Sequence, residues 1–438
     1  MNKGFSSIYV ILCLAALMLF LLCVCEACSG YAAGSICENV CLVAGESVLS
    51  EYQSELQARY GIFALSSHEQ KLEPLCRFYI SRNLSGANIL VRPALTDCSI
   101  SCEGFYGLDT QALAQQIDTL GLMTLGKDVL DETGALALLK EMLQPLSQRK
   151  DQDAAQQVAE ASTAGSQGGS GKSPAQLMQD YFEAMHPDLD EREGKSLVSV
   201  QKDLLPTALL GVKPSSSLLK YAASALAQDG ISSGSLLQAR YITSVCGNAQ
   251  VQKDDTLLGL ETEYVLFGKG SDRENEKEMK DALFKIRTAI NLARFLSSEA
   301  KLSGYAAQAS LFPAVPAGLA IVLLAAIDAA AEAKKEVFLL FSGGIVPIAP
   351  GAVPGADRFG SYQDYAALLL MLLPEQTRLA RLMDIMQINV AYMEEASFAF
   401  QDYCYGFCLH AEFQKKSFLP DLWGIFRKGS VQQTHRYR

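Results

Sequence analysis

The pattern of apolar and polar positions is most one-sided at the start of the chain. From Ile8 to Cys25 the sequence IYVILCLAALMLFLLCVC carries no charge, and Glu26 ends the run. About 18 apolar residues lie at the short end of the roughly 17–25 that span a bilayer. Beyond it, Ile36, Val40, Val43, Val48, Tyr52, Leu56 and Tyr60 recur every three to five positions, with Glu46, Ser50 and Gln53 between them. That spacing is a helical stripe. With no stop before Tyr60-Gly61, it predicts one helix from Ile8 to Tyr60, roughly 80 Å at about 1.5 Å per residue. Gly45 is its weak point, since glycine is a poor helix former.

Further along, Asn88–Leu95 reads as a strand, with Pro93 suggesting an edge. Leu108–Leu120 reads as a helix that Asp109 or Thr110 caps, and Ala135–Leu146 as another. Residues 150–176 are polar, small and Gly/Ser-rich, the composition of a flexible linker. Leu177–Met185 suits a short helix. Tyr241–Cys246 and Thr262–Phe267 are β-branched and aromatic, closed by Gly247 and Gly268, and read as strands. Asn275–Leu302 keeps helical spacing through Met279, Leu283, Ile286, Ile290, Ala293 and Leu296. Ala314–Ala331 is apolar enough for a second span, but Pro313, Pro316, Asp328 and its Ala/Gly content favour a buried helix running on to Phe341. Tyr365–Leu373 is an apolar run ending at Pro374, Thr377–Tyr392 is a helix, and Phe398–Phe413 is extended. The chain end, with Lys415, Lys416, Arg427, Lys428, Arg436 and Arg438, reads as basic and solvated.

The fold class expected is α+β and mainly helical. An N-terminal transmembrane helix continues into a long helix, and a mixed extracytoplasmic domain with few strands follows. The divisions are an anchor at 1–30 (transmembrane about 8–25), a long helix and N-terminal region at 31–149, the linker at 150–176, a C-terminal α+β region at 177–430 and a basic tail at 431–438.

Composition adjusts this picture. At 438 residues, 49% apolar and 19% charged, the chain is long enough for two or three folded domains. A net charge of −11 argues against nucleic acid as a partner, which requires a basic footprint. Lys3 precedes the apolar run, and Glu26, Glu38, Glu46, Glu51 and Glu55 follow it with no Lys or Arg before Arg59. By the positive-inside rule the N-terminus is cytoplasmic and the bulk lies outside, as a single-pass protein of the cell membrane. Small residues in EACSGYAAGS keep a cleaved signal peptide as the alternative.

Chemistry is sparse. GxSxG, HExxH, Walker A and strand-borne GxGxxG motifs are absent. Ser170-Gly171-Lys172-Ser173 resembles the end of a Walker A loop, but Ser166 stands where its first glycine belongs. Among the 12 cysteines, Cys98 and Cys102 form the best local disulfide candidate. Cys404 and Cys408, four apart on a strand, lie too far apart to pair, and Cys25-Glu26-Ala27-Cys28 sits at a membrane boundary rather than in a redox fold. Two pairs at zinc spacing are missing. Asp328 and Glu332 share a helix face; a carboxylate paired with a buried arginine is the commoner meaning of such acids, and Arg287 and Asn291 are plausible partners. No residue is assigned to catalysis, to a cofactor or to a metal, and the chain is not expected to be an enzyme.

ETEYVLFG with Asn275 and the Arg287–Asn291 pair, AAAEAKKEVFLLFSGGIVP, YQDYAALLLMLLPEQTRLARLMDIMQINV and SVLSEYQSELQARYGIFAL together resemble an uncharacterised family of Gram-positive bacterial membrane proteins, itself similar to TadE/TadG-like minor pilins. The resemblance implies a membrane-anchored structural or assembly component linked to a tight-adherence-type pilus or secretion system. Pilin-like or secretion-system proteins would be its partners, and no cofactor is implied. One departure stands out: Gly4-Phe5 matches a prepilin cleavage junction, yet the fifth residue after Gly4 is Tyr9 rather than Glu. The alternatives are a cell-envelope enzyme built on Asp328 and Glu332, or an extracellular ligand-binding module at Tyr264, Tyr362 and Tyr365.

Overall fold

The structure, a computed structural model, describes residues 3–85, 93–124, 156, 173–189, 194–197, 200–212, 234–348, 360–393, 397–415 and 428–437. The expected helix at Ala135–Leu146 and almost all of the 150–176 linker lie outside them. The described residues are mainly helical with small sheets, as the sequence leads one to expect. The chain divides into two compact units, but not by the sequential division expected. The smaller combines Met1–Ala112 with Phe398–Arg438, and the larger is Leu113–Ser397, inserted between those two pieces.

The smaller unit is built on α1 (Lys3–Leu49), a helix of 47 residues. It stops 11 positions short of the expected Tyr60. The chain turns at Ser50–Gln53, where the Gln53 side chain accepts from the Leu56 amide and caps α2 (Ser54–Tyr60). Gly61, in the left-handed region with φ 69°, closes that helix. Then come β1 (Leu65–Ser66), α3 (Glu69–Ser85) and β2 (Pro93–Ser101). After the larger unit the chain returns through β3 (Tyr403–Cys404), β4 (Gly406–Lys415) and β5 (Lys428–Arg436). The order β2–β4–β5 makes an antiparallel sheet, and β1 pairs with β3. Thus the presumed basic tail at 431–438 is largely an edge strand, and His435 within it is buried.

Alternate residues of β4, namely Phe407, Leu409, Ala411 and Phe413, point into a core shared with α1. The helix meets that core through Cys37, Cys41, Ala44, Val48 and Leu49, with Val40 packed against it, so the expected stripe supplies only Val40 and Val48 and small residues supply much of the rest. Leu42 and Val43 stay exposed. Small side chains allow the helix axis to approach the sheet closely. Gly45 shows how closely: a Cβ there would lie 2.2 Å from the His435 ring. Its weakness as a helix former is therefore the condition of packing. Gly45→Ala is expected to destabilise the smaller unit by about 1–3 kcal/mol through overpacking, despite a propensity gain near 1 kcal/mol. Urea unfolding followed by hydrogen exchange in β5 measures it.

In the larger unit the described helices longer than one turn are α4 (Thr110–Thr124, which carries the chain in), α5 (Pro174–Met185), α6 (Ser235–Val245), α7 (Glu261–Phe267), α8 (Asp272–Ser297), α9 (Glu299–Ala309), α10 (Ala317–Phe341), α11 (Tyr362–Met371) and α12 (Glu375–Met393). Both expected strands here are helices. Every residue of α7 is buried, as are Tyr241, Ile242 and Thr243 of α6. A segment enclosed on all sides loses the alternation that separates strand from helix, and β-branched content misleads. The expected helix from Asn275 to Leu302 is two, because Ser298 ends α8 and caps α9. The apolar run at Ala314–Ala331 is interior: Ala320, Leu323, Ala325, Ala326 and Ala329 join a core with Leu177, Tyr181 and Phe295.

Candidate functional site

Two features carry any functional reading: the free half of α1 and the polar core of the larger unit. From Ile8 to Val24 almost every large side chain of α1 is exposed, Phe20 at 66%. Among the described residues this is the one helix long and apolar enough to cross a membrane. A single N-terminal span is therefore consistent with membrane association. Where the apolar run ends, Glu26 is buried and its Oε1 lies 3.1 Å from Lys415 Nζ at the end of β4. An ion pair enclosed at this point fixes the helix to the sheet just where the protein body begins. Beyond it Tyr31, Leu42 and Val43 are also exposed on α1, among exposed polar residues such as Ser35, Glu38 and Asn39.

Six buried cysteines crowd the core of the smaller unit: Cys37, Cys41, Cys76, Cys98, Cys102 and Cys404. The expected local partner of Cys102 was Cys98, but strand geometry separates them. Cys404 Sγ instead donates to Cys102 Sγ at 3.5 Å, and Cys76 and Cys98 share a hydrogen bond. These bonds hold Cys102 and Cys98 below the ordinary thiol range. Cys41 is pushed up to about 12 by burial, with smaller contributions from its cysteine neighbours. Cys408 faces Thr434 across the strands instead. Among the described residues no group of three or more side chains is arranged to hold a metal.

In the larger unit the acid pair does not form a site. Asp328 is exposed and accepts from the Tyr305 hydroxyl at 3.0 Å, and half-buried Glu332 faces exposed Lys335 at 3.5 Å. The arginine expected to meet a core carboxylate does so one turn further on. Arg287 Nε and Nη2 each reach a Glu336 oxygen at 2.8 Å, and Asn291 Nδ2 reaches the same carboxylate at 2.7 Å. Nη1 of Arg287 donates to the Pro347 carbonyl and the Tyr365 hydroxyl.

Tyr264, Tyr362 and Tyr365, considered as the lining of a ligand cleft, are buried, and each hydroxyl is engaged within the core. Tyr264 donates to Asp384 at 2.8 Å, Tyr362 to Glu263, and Tyr365 to the Val346 carbonyl. Burial pushes Glu263 up to about 7 and Asp384 up to about 6. One Glu263 oxygen, Oε2, has no hydrogen-bond partner.

The sequence reading missed four residues that organise this core. Arg378 Nη1 donates to the Leu370 and Leu373 carbonyls at the end of α11, and its Nη2 to Gln238 Oε1 at 2.6 Å. Arg381 Nη1 donates to the Val265 and Leu266 carbonyls at the end of α7, next to Gly268, whose φ of 68° closes that helix. Glu263 and Asp384 complete the set. The available signal was Arg378, Arg381 and Asp384 at three-residue steps inside an apolar helix, where charges lie on one face. These groups satisfy orphan helix-end carbonyls and tie helices together. Enclosed as they are, they act on the fold and present no reacting atom to solvent.

No curated protein and no solved structure matches the chain. The profile of a family of unknown function, DUF5702, matches residues 190–351 and 356–415. All the polar-core residues just described fall in those segments, and so do β3 and β4. Because the match spans just over half of the 438 residues, the chain belongs to this family of unknown function, DUF5702.

Proposed function

We propose that the chain is a membrane-anchored structural or assembly component of the cell envelope, with its N-terminus cytoplasmic and both compact units outside. In this reading it is linked to a tight-adherence-type pilus or secretion system, and its partners are pilin-like helices. The observation that carries the reading is the division of α1. Its first half is bare and apolar, and its second half is seated on an antiparallel sheet. A helix arranged so offers its bare half to neighbouring helices in lipid while its other half holds the folded unit. The lone Lys3 before the run and the acidic residues after it support the orientation.

The polar core of the larger unit fits a rigid body that makes contacts rather than bonds. The test replaces residues 8–25 by an unrelated span and leaves Glu26 onward intact, since the second half of α1 belongs to the folded unit. Loss of co-purifying pilin-like proteins from detergent extracts is expected. Retention of every partner counts against the reading.

A further inference from the structure

We propose that Cys102–Cys404 and Cys76–Cys98 are two disulfide pairs that staple the smaller unit. The first observation is proximity. The sulfurs of Cys102 and Cys404 lie 3.5 Å apart in the core, across a sequence separation of 302 residues. Cys76 on α3 meets Cys98 on β2 through a sulfur hydrogen bond.

The second observation is the placement of the other cysteines. Cys37 and Cys41 sit four apart on one helix, which holds their Cβ atoms about 5–6 Å apart, beyond the roughly 3.5–4.5 Å that a disulfide needs. Cys408 faces a threonine. Cys41 is also a neighbour of Cys76 and Cys98, but the sulfur hydrogen bond joins those two to each other. A shared metal is the other use of clustered cysteines, and among the described residues no three ligating side chains converge.

The placement of the first pair gives it a role. The smaller unit is made of two chain segments, Met1–Ala112 and Phe398–Arg438, with the larger unit inserted between them. Cys102 lies near the end of the first segment and Cys404 near the start of the second. A bond between them joins the exit and return points of the chain. It makes the unit that holds α1 covalently continuous, whatever the inserted unit does.

Both sulfurs are buried, so exchange happens during folding, before the core closes. The Cys102 thiolate attacks one sulfur of an external disulfide and expels one thiolate. The Cys404 thiolate then attacks the Cys102 sulfur of that mixed disulfide and expels the second. The two cysteines lose two protons and two electrons, and the external disulfide becomes two thiols. Oxidised glutathione serves in vitro, and a thiol–disulfide oxidoreductase serves in the envelope. For its oxidant alone, the proposal rests on the outward placement given above.

The test is peptide mapping of the full chain, refolded in detergent with oxidised glutathione and then alkylated in denaturant without reductant, so that every unpaired thiol is reached. Linked peptides containing Cys102 with Cys404 and Cys76 with Cys98 are expected. A Cys98–Cys102 link, a link from Cys41 to Cys76 or Cys98, or four alkylated thiols, overturns the proposal. Cys404→Ser should expose Cys102 to alkylation and leave the Cys76–Cys98 link intact; a Cys102 that stays protected in this variant also overturns it. The same mapping on membranes alkylated before lysis separates the two readings. Pairs that form with glutathione but are reduced in those membranes refute the outward placement and leave the pairing standing.

Discussion

Arg287→Met is expected to lower the stability of the larger unit by about 3–5 kcal/mol, and the double variant Arg287→Met/Glu336→Leu to recover most of that loss. Arg287 is 2% exposed, and its guanidinium is matched on every side by the Glu336 carboxylate, the Pro347 carbonyl and the Tyr365 hydroxyl. Burial works against its charge, yet the Glu336 carboxylate and Tyr365 together outweigh this and raise its pKa. Removing the arginine alone strands a carboxylate that keeps only Asn291 as a nearby donor. Removing both leaves an apolar contact of similar volume, which such sites tolerate well. Glu332→Gln should change stability by less than about 0.5 kcal/mol, because that carboxylate faces only an exposed lysine. Urea unfolding of the full chain in detergent, read by hydrogen exchange in α8 and α10, measures all three. Equal losses for Arg287→Met and the double variant would show that packing, not the stranded charge, dominates.

The long elements were legible because each presents one apolar face. The free half of α1 has no polar residue to misread, and α8 and α12 fall within a few residues of their expected positions. Legibility failed where burial is complete. All of α7 is interior, so its ETEYVLF carries no period and reads as a strand from its β-branched and aromatic residues. The buried face of α1 escaped for a related reason. Apolar size pointed to Ile36 and Val43, whereas close approach to the sheet selects Cys37, Cys41 and Ala44. The discontinuous smaller unit was hidden because strand pairing between β2 and β4 joins residues over 300 positions apart, such as Pro93 and Lys415, and no local pattern records a partner. The polar core was half legible. Arg287 and Asn291 stand out as a pair, but the expected acids are Asp328 and Glu332, since nothing in AAAEAKKEVF distinguishes Glu332 from Glu336 four positions on.

The larger unit should be more stable near pH 5 than near pH 8, and Glu263→Gln should remove a large part of that difference. Burial raises Glu263 from the ordinary 4.5 to about 7 in the folded chain, and Asp384 from 3.8 to about 6. A folded-state pKa above the unfolded value means that the fold favours the protonated acid. That contribution is fully present below the unfolded pKa and is lost as pH rises through the folded one. For Glu263 the window is about pH 4.5 to 7, worth about 3–4 kcal/mol at roughly 1.4 kcal/mol per unit, of which about 2–3 kcal/mol falls between pH 5 and pH 8. Asp384 acts in the same direction over a lower window, although the Thr207 amide and hydroxyl, the Tyr264 hydroxyl and the charge of Arg381 all oppose its rise. Glutamine imitates the protonated acid: its oxygen accepts from Tyr362 and the Ala249 amide as Glu263 Oε1 does. Urea midpoints at pH 5, 6, 7 and 8 should therefore fall steeply for the wild type and more gently for Glu263→Gln, the two curves separating most above pH 6. Parallel curves would mean that Glu263 titrates at its ordinary value, and that its enclosure between α7 and α11 is relieved by water.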